Sequence, residues 1–416
     1  MMSARPFSDL GEVGSVDRFL RKRLLKRLEG LRHGTLELVD ATGTVVLGVP
    51  SEAYPRVRLE ILDPSFYRAL AASGSVGAAE AYMADAWVCS DLVALVRLLV
   101  RNRNLLDGME TGSAKVSSWL MRALNAARRN TRAGARKNIA AHYDLGNAFF
   151  ALFLSEDLMY SSAMFTCEDE PLEVASLRKL DVLCEKLRLG PEDHVVEIGS
   201  GWGGFAIHAA RTRGCRVTTT TISAEQYALA KQRVDAAGLS DRVTVLAQDY
   251  RDLEGRYDKL VSIEMIEAIG PQFLDVYFAT LDRLLKPGGL ALVQAITIED
   301  HRYAQAVRSV DFIKRHVFPG SFIPSIAAML AAKTRSSHLA LIELQDFGLS
   351  YARTLKAWRM RFLANIAQVH AQGFDTRFIR LWEFYLAYCE GGFRERSIGV
   401  SHLLFQAPLI APAGRD

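Results

Sequence analysis

The run HVVEIGSGWGGFAIHAA, His194–Ala210, constrains this chain more than any other stretch. Two β-branched residues, Val195 and Val196, lead into an acid, then glycines at 199, 201, 203 and 204, then an apolar helical run. That order reads as a buried strand, a tight turn and a helix N-terminus. Glycine permits backbone conformations closed to other residues and lets a ligand approach the main chain. The N–H groups that open a helix suit a carboxylate or a phosphate.

Gly199, Gly201 and Gly204 satisfy the spacing G-x-G-x-x-G. A dinucleotide site also needs an acid at the end of the next strand, about 20 residues on, to hold the ribose. Here the next strand, Arg216–Ile222, ends in threonines, and the acid precedes the glycines at Glu197. This is the arrangement of S-adenosylmethionine (AdoMet) methyltransferases, and it favours AdoMet over a nicotinamide dinucleotide.

From residue 138 onward, strand and helix patterns alternate: strand 194–198, helix 203–212, strand 215–221, helix 224–237, strands 242–247 and 258–263, helix 271–285 and strand 289–296. Such alternation predicts an α/β, doubly wound Rossmann-like sheet with helices on both faces. Ligands in these sheets bind beyond the carboxyl ends of the strands. Glu197, Thr221 with Gln226, Asp249 with Tyr250, Glu264 with Glu267, and Gln294 all fall there.

Ahead of this lies a small α+β domain, 1–106, with no catalytic constellation: a poorly ordered start through Val16, a basic amphipathic helix over Asp17–Leu31, a hairpin over Thr35–Val49, a strand at Arg56–Leu62, and helices at Pro64–Ala72 and Ser90–Arg101. A basic linker, 107–137, separates it from the domain at 138–408. Half of the 416 residues are apolar, enough for a large core. The best apolar run, Leu92–Val100, is short and interrupted by Arg97, so no membrane span is expected. No apolar leader follows the basic start, so no secretory signal is expected. Five cysteines without a C-x-x-C pair fit reduced thiols in the cytoplasm and suggest no metal cluster. Net charge is only +4, but seven basic residues lie between Arg18 and Arg32, and a second cluster centres on Arg128, Arg129 and Arg132. Both suit an anionic lipid surface, and equally a solvated helix face or a flexible linker. Neither carries the interleaved aromatics of a nucleic-acid platform.

NIAAHYDLGNAFFALFLSEDLMYSSAMF (138–165), EIGSGWGG, VSIEMIEAIG (261–270), FPGSFIPS (318–325) and YCEGGFRE (388–395) occur in one consistent order. Together they resemble the cyclopropane-fatty-acyl-phospholipid synthase family over roughly residues 135–405. The N-terminal region is similar, through Ala81-Tyr82-Met83 and Trp87, to the small domain of longer bacterial synthases that helps to hold lipid.

The resemblance implies methyl transfer from AdoMet to the double bond of a phospholipid acyl chain, giving a cyclopropane, by a cytoplasmic enzyme peripheral to the inner face of the membrane. It leaves a homodimer open. It assigns the cofactor to Tyr160, Ser161, Glu197, Gly199, Gly201, Gly203, Thr221, Gln226 and Tyr250. A bicarbonate ion, as proton acceptor, would be cradled by Ser162, Glu267, Gln294, Ile296 and Tyr351. Ser162 and Gln294 depart from the cysteine and histidine that many members carry, and glutamine cannot carry a proton or a charge. That departure admits a methylene- or methyl-branched product. Glu267 is expected to be the ionised carboxylate beside the carbocation, with Glu264 the alternative acid. Cys389, regarded as an active-site thiol in the family, reads as a packing residue. A water-excluding pocket is expected from Phe149, Phe150, Phe153, Met159, Phe165 and Phe318, with Phe153 more readily core. His142 and Tyr143 would lie over the cofactor. A methyltransferase for a small molecule, or a lipid-binding protein without activity, are the competing classes.

Overall fold

The computed structural model describes residues 13–107, Gly134 and 145–410. Most of the expected disordered start, most of the basic linker, the second basic cluster, and His142 with Tyr143 lie outside the described residues; the start is ordered by Val13, which is buried, and Ser15 and Val16 already belong to the first helix.

Seven strands form the larger sheet: β5 (His194–Ile198), β6 (Arg216–Thr220), β7 (Val243–Leu246), β8 (Tyr257–Ile263), β9 (Leu285–Ile298), β10 (Ala340–Asp346) and β11 (Ile398–Gln406). The smaller sheet holds β1 (Gly34–Asp40), β2 (Gly43–Val49), β3 (Arg56–Ile61) and β4 (Trp87–Cys89).

The larger sheet runs β10-β11-β9-β8-β5-β6-β7. Strands β5 to β9 pair in parallel, and β11 pairs antiparallel with both β9 and β10. Parallel strands are covered on both faces, so they read as continuous apolar runs. Val195, Val196, Leu260, Val261, Leu292 and Val293 are accordingly buried. Chain order reverses between β8 and β6 on the two sides of β5, which opens a crevice beyond the carboxyl end of β5. The glycine loop stands at that point.

The smaller sheet, β2-β1-β3-β4, carries the expected hairpin. The helix expected over Pro64–Ala72 continues instead to Met83, bent at Gly74, whose φ of +57° and ψ of −134° are not helical. Strand β4, only three residues long, carries no periodicity that a sequence could reveal.

The two sheets are joined by the helix Thr376–Arg394. Buried Arg380 donates to the carbonyls of Tyr82 (2.5 Å) and Trp87 (2.9 Å) and lies 3.9 Å from the centre of the Tyr82 ring. Arg97 and Arg101 both grip Glu395 at 2.6 Å. Gly391 allows the helix Leu92–Arg101 to approach: a Cβ there would stand 2.6 Å from Val96 Cγ1. Tyr82 and Trp87, the residues that carried the N-terminal resemblance, are thus the joint between the sheets.

Candidate active site

Strand β5 delivers Glu197 and then the glycine turn. Gly199, Gly201 and Gly203 have φ of +97°, +48° and +86°, a region that side chains disfavour. The N–H groups of Gly199 and Ser200 donate to the Thr220 carbonyl at 3.1 and 2.8 Å, which fastens the turn to β6. A Cβ on Gly204 would stand 2.5 Å from Met159 Sδ and 2.8 Å from the Asp157 carbonyl. This close approach lays the segment 157–161 across the start of the helix Gly204–Arg213 and brings Tyr160 and Ser161 to the turn.

Glu197 is 1% exposed and accepts from Thr219 Oγ1 at 2.6 Å. Burial pushes its carboxyl up to about 8, against the opposing charge of Lys179. Thr221 Oγ1 donates to Gln226 Oε1 at 2.8 Å, which fixes the amide with Nε2 as its donor end. Tyr250 opens a single turn after β7; its ring packs on Tyr277, and its buried Oη has no hydrogen-bond partner among the described residues. Tyr160, Ser161, Glu197, Gly199, Gly201, Thr221, Gln226 and Tyr250 line one cavity, while Gly203 supports the turn from outside it. Backbone without side chains, a buried acid, an amide donor and an unpartnered phenol suit AdoMet, with its amino-acid end, ribose and purine.

The five residues expected to cradle bicarbonate do not enclose an open anion site. Three of them close on Glu264. Its Oε1 accepts from the Ser162 N–H at 2.9 Å and from Gln294 Nε2 at 2.7 Å, and its Oε2 accepts from Tyr351 Oη at 2.7 Å. The Ser162 hydroxyl turns away and donates to the Ala163 carbonyl. Ile296 donates its N–H to Glu267 Oε1 at 2.6 Å. With these donors used by side-chain carboxylates, the residues present do not fit a bound bicarbonate.

Glu264 also corrects the role expected of Glu267. Both are half-buried in the cavity wall, and desolvation raises both carboxyls; Glu267 rises to about 8, pushed further by the charge of Glu264. Glu264 collects three donors and the nearby Lys179, whereas Glu267 Oε2 has no partner among the described residues. The donors therefore favour the negative charge on Glu264 and leave Glu267 the more readily protonated of the two. Glu264 has φ +49°, a conformation that costs a side-chain residue about 1–2 kcal/mol. Its N–H donates to the Gln294 carbonyl at 2.8 Å, which holds that geometry.

Behind Gln294, His402 Nε2 meets the amide oxygen at 2.9 Å. The two stand opposite each other on β9 and β11. Burial holds the imidazole well below its usual value, so it is neutral, and Nε2–H is the donor. Gln294 is thereby locked with its amide nitrogen toward Glu264.

Sequence reasoning missed Lys179 and His402. Lys179 has no solvent exposure and donates to Ser161 Oγ at 2.9 Å; burial lowers its ammonium to about 8, while Asp157, Glu264 and Glu197 support the charge. The signal was present: it shares the buried face of the helix Leu172–Lys186 with Ala175, Ser176 and Leu183.

Of the expected apolar lining, only Met159 and Phe318 face the cavity. Phe149, Phe150 and Phe153 are fully buried one layer behind the wall, where Phe150 and Phe153 pack on the lining residue Tyr160 and all three join Trp202, Phe362 and Trp382 in the core. Phe165 is also absent from the lining. The apolar wall comes instead from Tyr351, Leu355, Phe384, Tyr385 and Phe393. Cys389 lines it too, and burial pushes its thiol far up, which suits packing and not nucleophilic attack.

The cavity, about 950 Å³, continues into the N-terminal domain past Leu36, Leu59, Phe66, Leu70 and Trp87, and is bordered there by Arg23 and Arg27. Among the described residues no helix is long and apolar enough to cross a membrane, and no cluster could hold a metal ion.

A family model described as mycolic acid cyclopropane synthetase matches residues 130–403. The chain is similar to the tuberculostearic acid methyltransferase UfaA1 of Mycobacterium tuberculosis, 36% identical over 401 residues, which is 94% of this chain and 91% of that protein. It is also similar to the cyclopropane-fatty-acyl-phospholipid synthase of Escherichia coli, 34% identical over 89% of this chain and 91% of the relative. Among solved structures, the mycolic acid cyclopropane synthase CmaA1 complexed with SAH and CTAB is similar at a TM-score of 0.61 and 28% identity, covering 65% of this chain and 98% of that one.

Proposed function

The chain belongs to the mycolic acid cyclopropane synthetase family of AdoMet-dependent methyltransferases, and we propose that it methylates the double bond of an unsaturated acyl chain carried by a membrane phospholipid. The observation that carries this reading is the continuity of one apolar cavity from the N-terminal domain to the glycine turn and Glu264. A small polar substrate has no use for such a passage.

AdoMet supplies a methyl group on a sulfonium. The alkene π pair forms the new C–C bond while the C–S pair returns to sulfur, and a cation remains on the acyl chain. Holding the reactants in line can contribute about 7–11 kcal/mol. The aromatic wall of Phe318, Tyr351, Tyr385 and Phe393 excludes water and offers ring faces to the cation. The helix Ser15–Leu28 gives the membrane contact: Arg18, Lys22, Arg23 and Lys26 are exposed beside Val16 and Phe19, which are 57% and 59% exposed.

Loss of a proton from the transferred methyl closes a cyclopropane, the product for which the family is named. A second product, a methylene branch formed after a hydride shift and open to later reduction, is admitted by Gln294, which stands where many members carry histidine.

Expression in a cell that makes neither product tests the reading. Phospholipid acyl chains should gain one CH₂, and mild hydrogenation should leave a ring untouched but add H₂ to a methylene. Ala78→Phe, which narrows the N-terminal passage, should abolish the product at unchanged AdoMet affinity. A folded, AdoMet-binding protein that adds no CH₂ to any acyl chain would overturn the proposal.

A further inference from the structure

We propose that Glu264 is the general base of this reaction, a carboxylate built into the chain at the place expected for bicarbonate, so that the protein works without that ion. The inference rests on the acyl-methylation reading and adds the identity of the proton acceptor.

Bicarbonate and a carboxylate both present two oxygens on a planar carbon, so they suit the same donors. Ser162 N–H, Gln294 Nε2 and Tyr351 Oη, from three of the residues expected around the ion, all bind Glu264. The carboxylate borders the cavity beside Met265, Ile296 and Tyr351. Oε1 receives two donors and Oε2 only one, so Oε2 keeps a lone pair. The left-handed backbone at 264 would suit glycine, yet an acid stands there. Neutral His402, through Gln294, fixes the donor side of the amide on Oε1. Buried Lys179 supplies the countercharge.

The step balances within the site. The C–H pair of the cationic acyl chain becomes either the third ring bond or the branch double bond, and the proton moves to Glu264 Oε2. After the product leaves, the new carboxylic acid returns its proton to water.

The test compares the protein with Glu264→Gln and Glu264→Gly in buffer stripped of carbon dioxide, with and without added bicarbonate. The unaltered protein should turn over equally in both. Glu264→Gln should lose about 10²–10⁴-fold in turnover with AdoMet affinity retained by calorimetry. Glu264→Gly removes the carboxylate, suits the backbone, and should recover turnover only when bicarbonate is added. Independently of turnover, ¹³C-bicarbonate NMR should show saturable binding to Glu264→Gly and none to the unaltered protein. A rate that falls when bicarbonate is removed, saturable binding of the ion by the unaltered protein, or a full rate in Glu264→Gln would overturn the assignment. Absence of any methylated lipid from the unaltered protein would instead overturn the acyl-methylation reading, and the NMR comparison would still decide this one.

Discussion

Lys179 Nζ donates to Ser161 Oγ across 2.9 Å in a position with no solvent exposure. A buried ammonium is tolerated only when paired, and removing one partner of such a group typically costs about 3–5 kcal/mol. Lys179→Met should therefore lower stability by an amount of that order and weaken AdoMet binding, since Ser161 loses its anchor. The double variant Lys179→Met with Glu264→Gln should regain part of the loss in stability, since Glu264 is the carboxylate that Lys179 balances. Chemical denaturation and calorimetry on the two proteins check this; equal stability of Lys179→Met and the parent would remove the charge network from the account.

Glu197 and Glu267 both titrate near 8 in the fold against an ordinary value of 4.5. Between about pH 5 and 8 the folded state thus holds protons that the unfolded chain has released. Their contribution is fully present below pH 4.5 and is lost as pH rises through 8, at up to about 1.4 kcal/mol per pH unit for each group. Stability of the ligand-free protein should fall across that window, and Glu267→Gln should flatten the fall. Thermal midpoints at pH 5, 6, 7 and 8 measure it.

Gly199 and Gly201 should respond to substitution for different reasons. A Cβ at Gly199 would meet Met265 at 3.2 Å, whereas at Gly201 nothing lies within 4 Å and only the φ of +48° resists. Gly199→Val and Gly201→Val should both lose AdoMet binding. Gly201→Asn should largely keep it, because asparagine tolerates the left-handed region. Unchanged AdoMet affinity in folded Gly201→Val would refute a binding role for the turn.

The helix Ser15–Leu28 should bind anionic vesicles with steep salt dependence. Each exposed basic residue near such a surface is worth about 1 kcal/mol, so Lys22→Gln with Lys26→Gln should weaken partitioning about 30-fold at low salt. Phe19→Ser should lower the part that salt does not screen. Equal sedimentation with neutral and anionic vesicles would leave these residues as ordinary surface. Arg21 belongs to the fold instead, since it is held 2.5 Å from Asp40.

The strand–turn–helix unit at 194–213 was legible because its elements are set locally: β-branched residues for β5, glycines for the turn, and burial on both faces. Glu264 was not, because its role depends on Ser162, Gln294 and Tyr351 converging from three distant segments and on a backbone angle that no pattern announces. The one local hint was an acid at the carboxyl end of β8. Phe149 and Phe150 misled in the opposite direction, while Phe153, read as core, is buried: aromatic spacing reports burial but not whether the neighbour is protein or ligand. The helix Thr376–Arg394 went unassigned, although Gly391, within a recognised motif, serves its packing against Val96.

A passage that begins in one domain and ends at the chemistry of another acts as a ruler. On the acyl-methylation proposal, the carbon that meets Glu264 would be set by how many methylenes fit between the N-terminal end of the cavity, bordered by Arg23, and the aromatic wall at Tyr351. Regiochemistry would then be encoded in a domain that contributes no reacting group. Exchanging the N-terminal domain with that of a relative should move the modified position along the fatty acid while leaving the kind of modification unchanged.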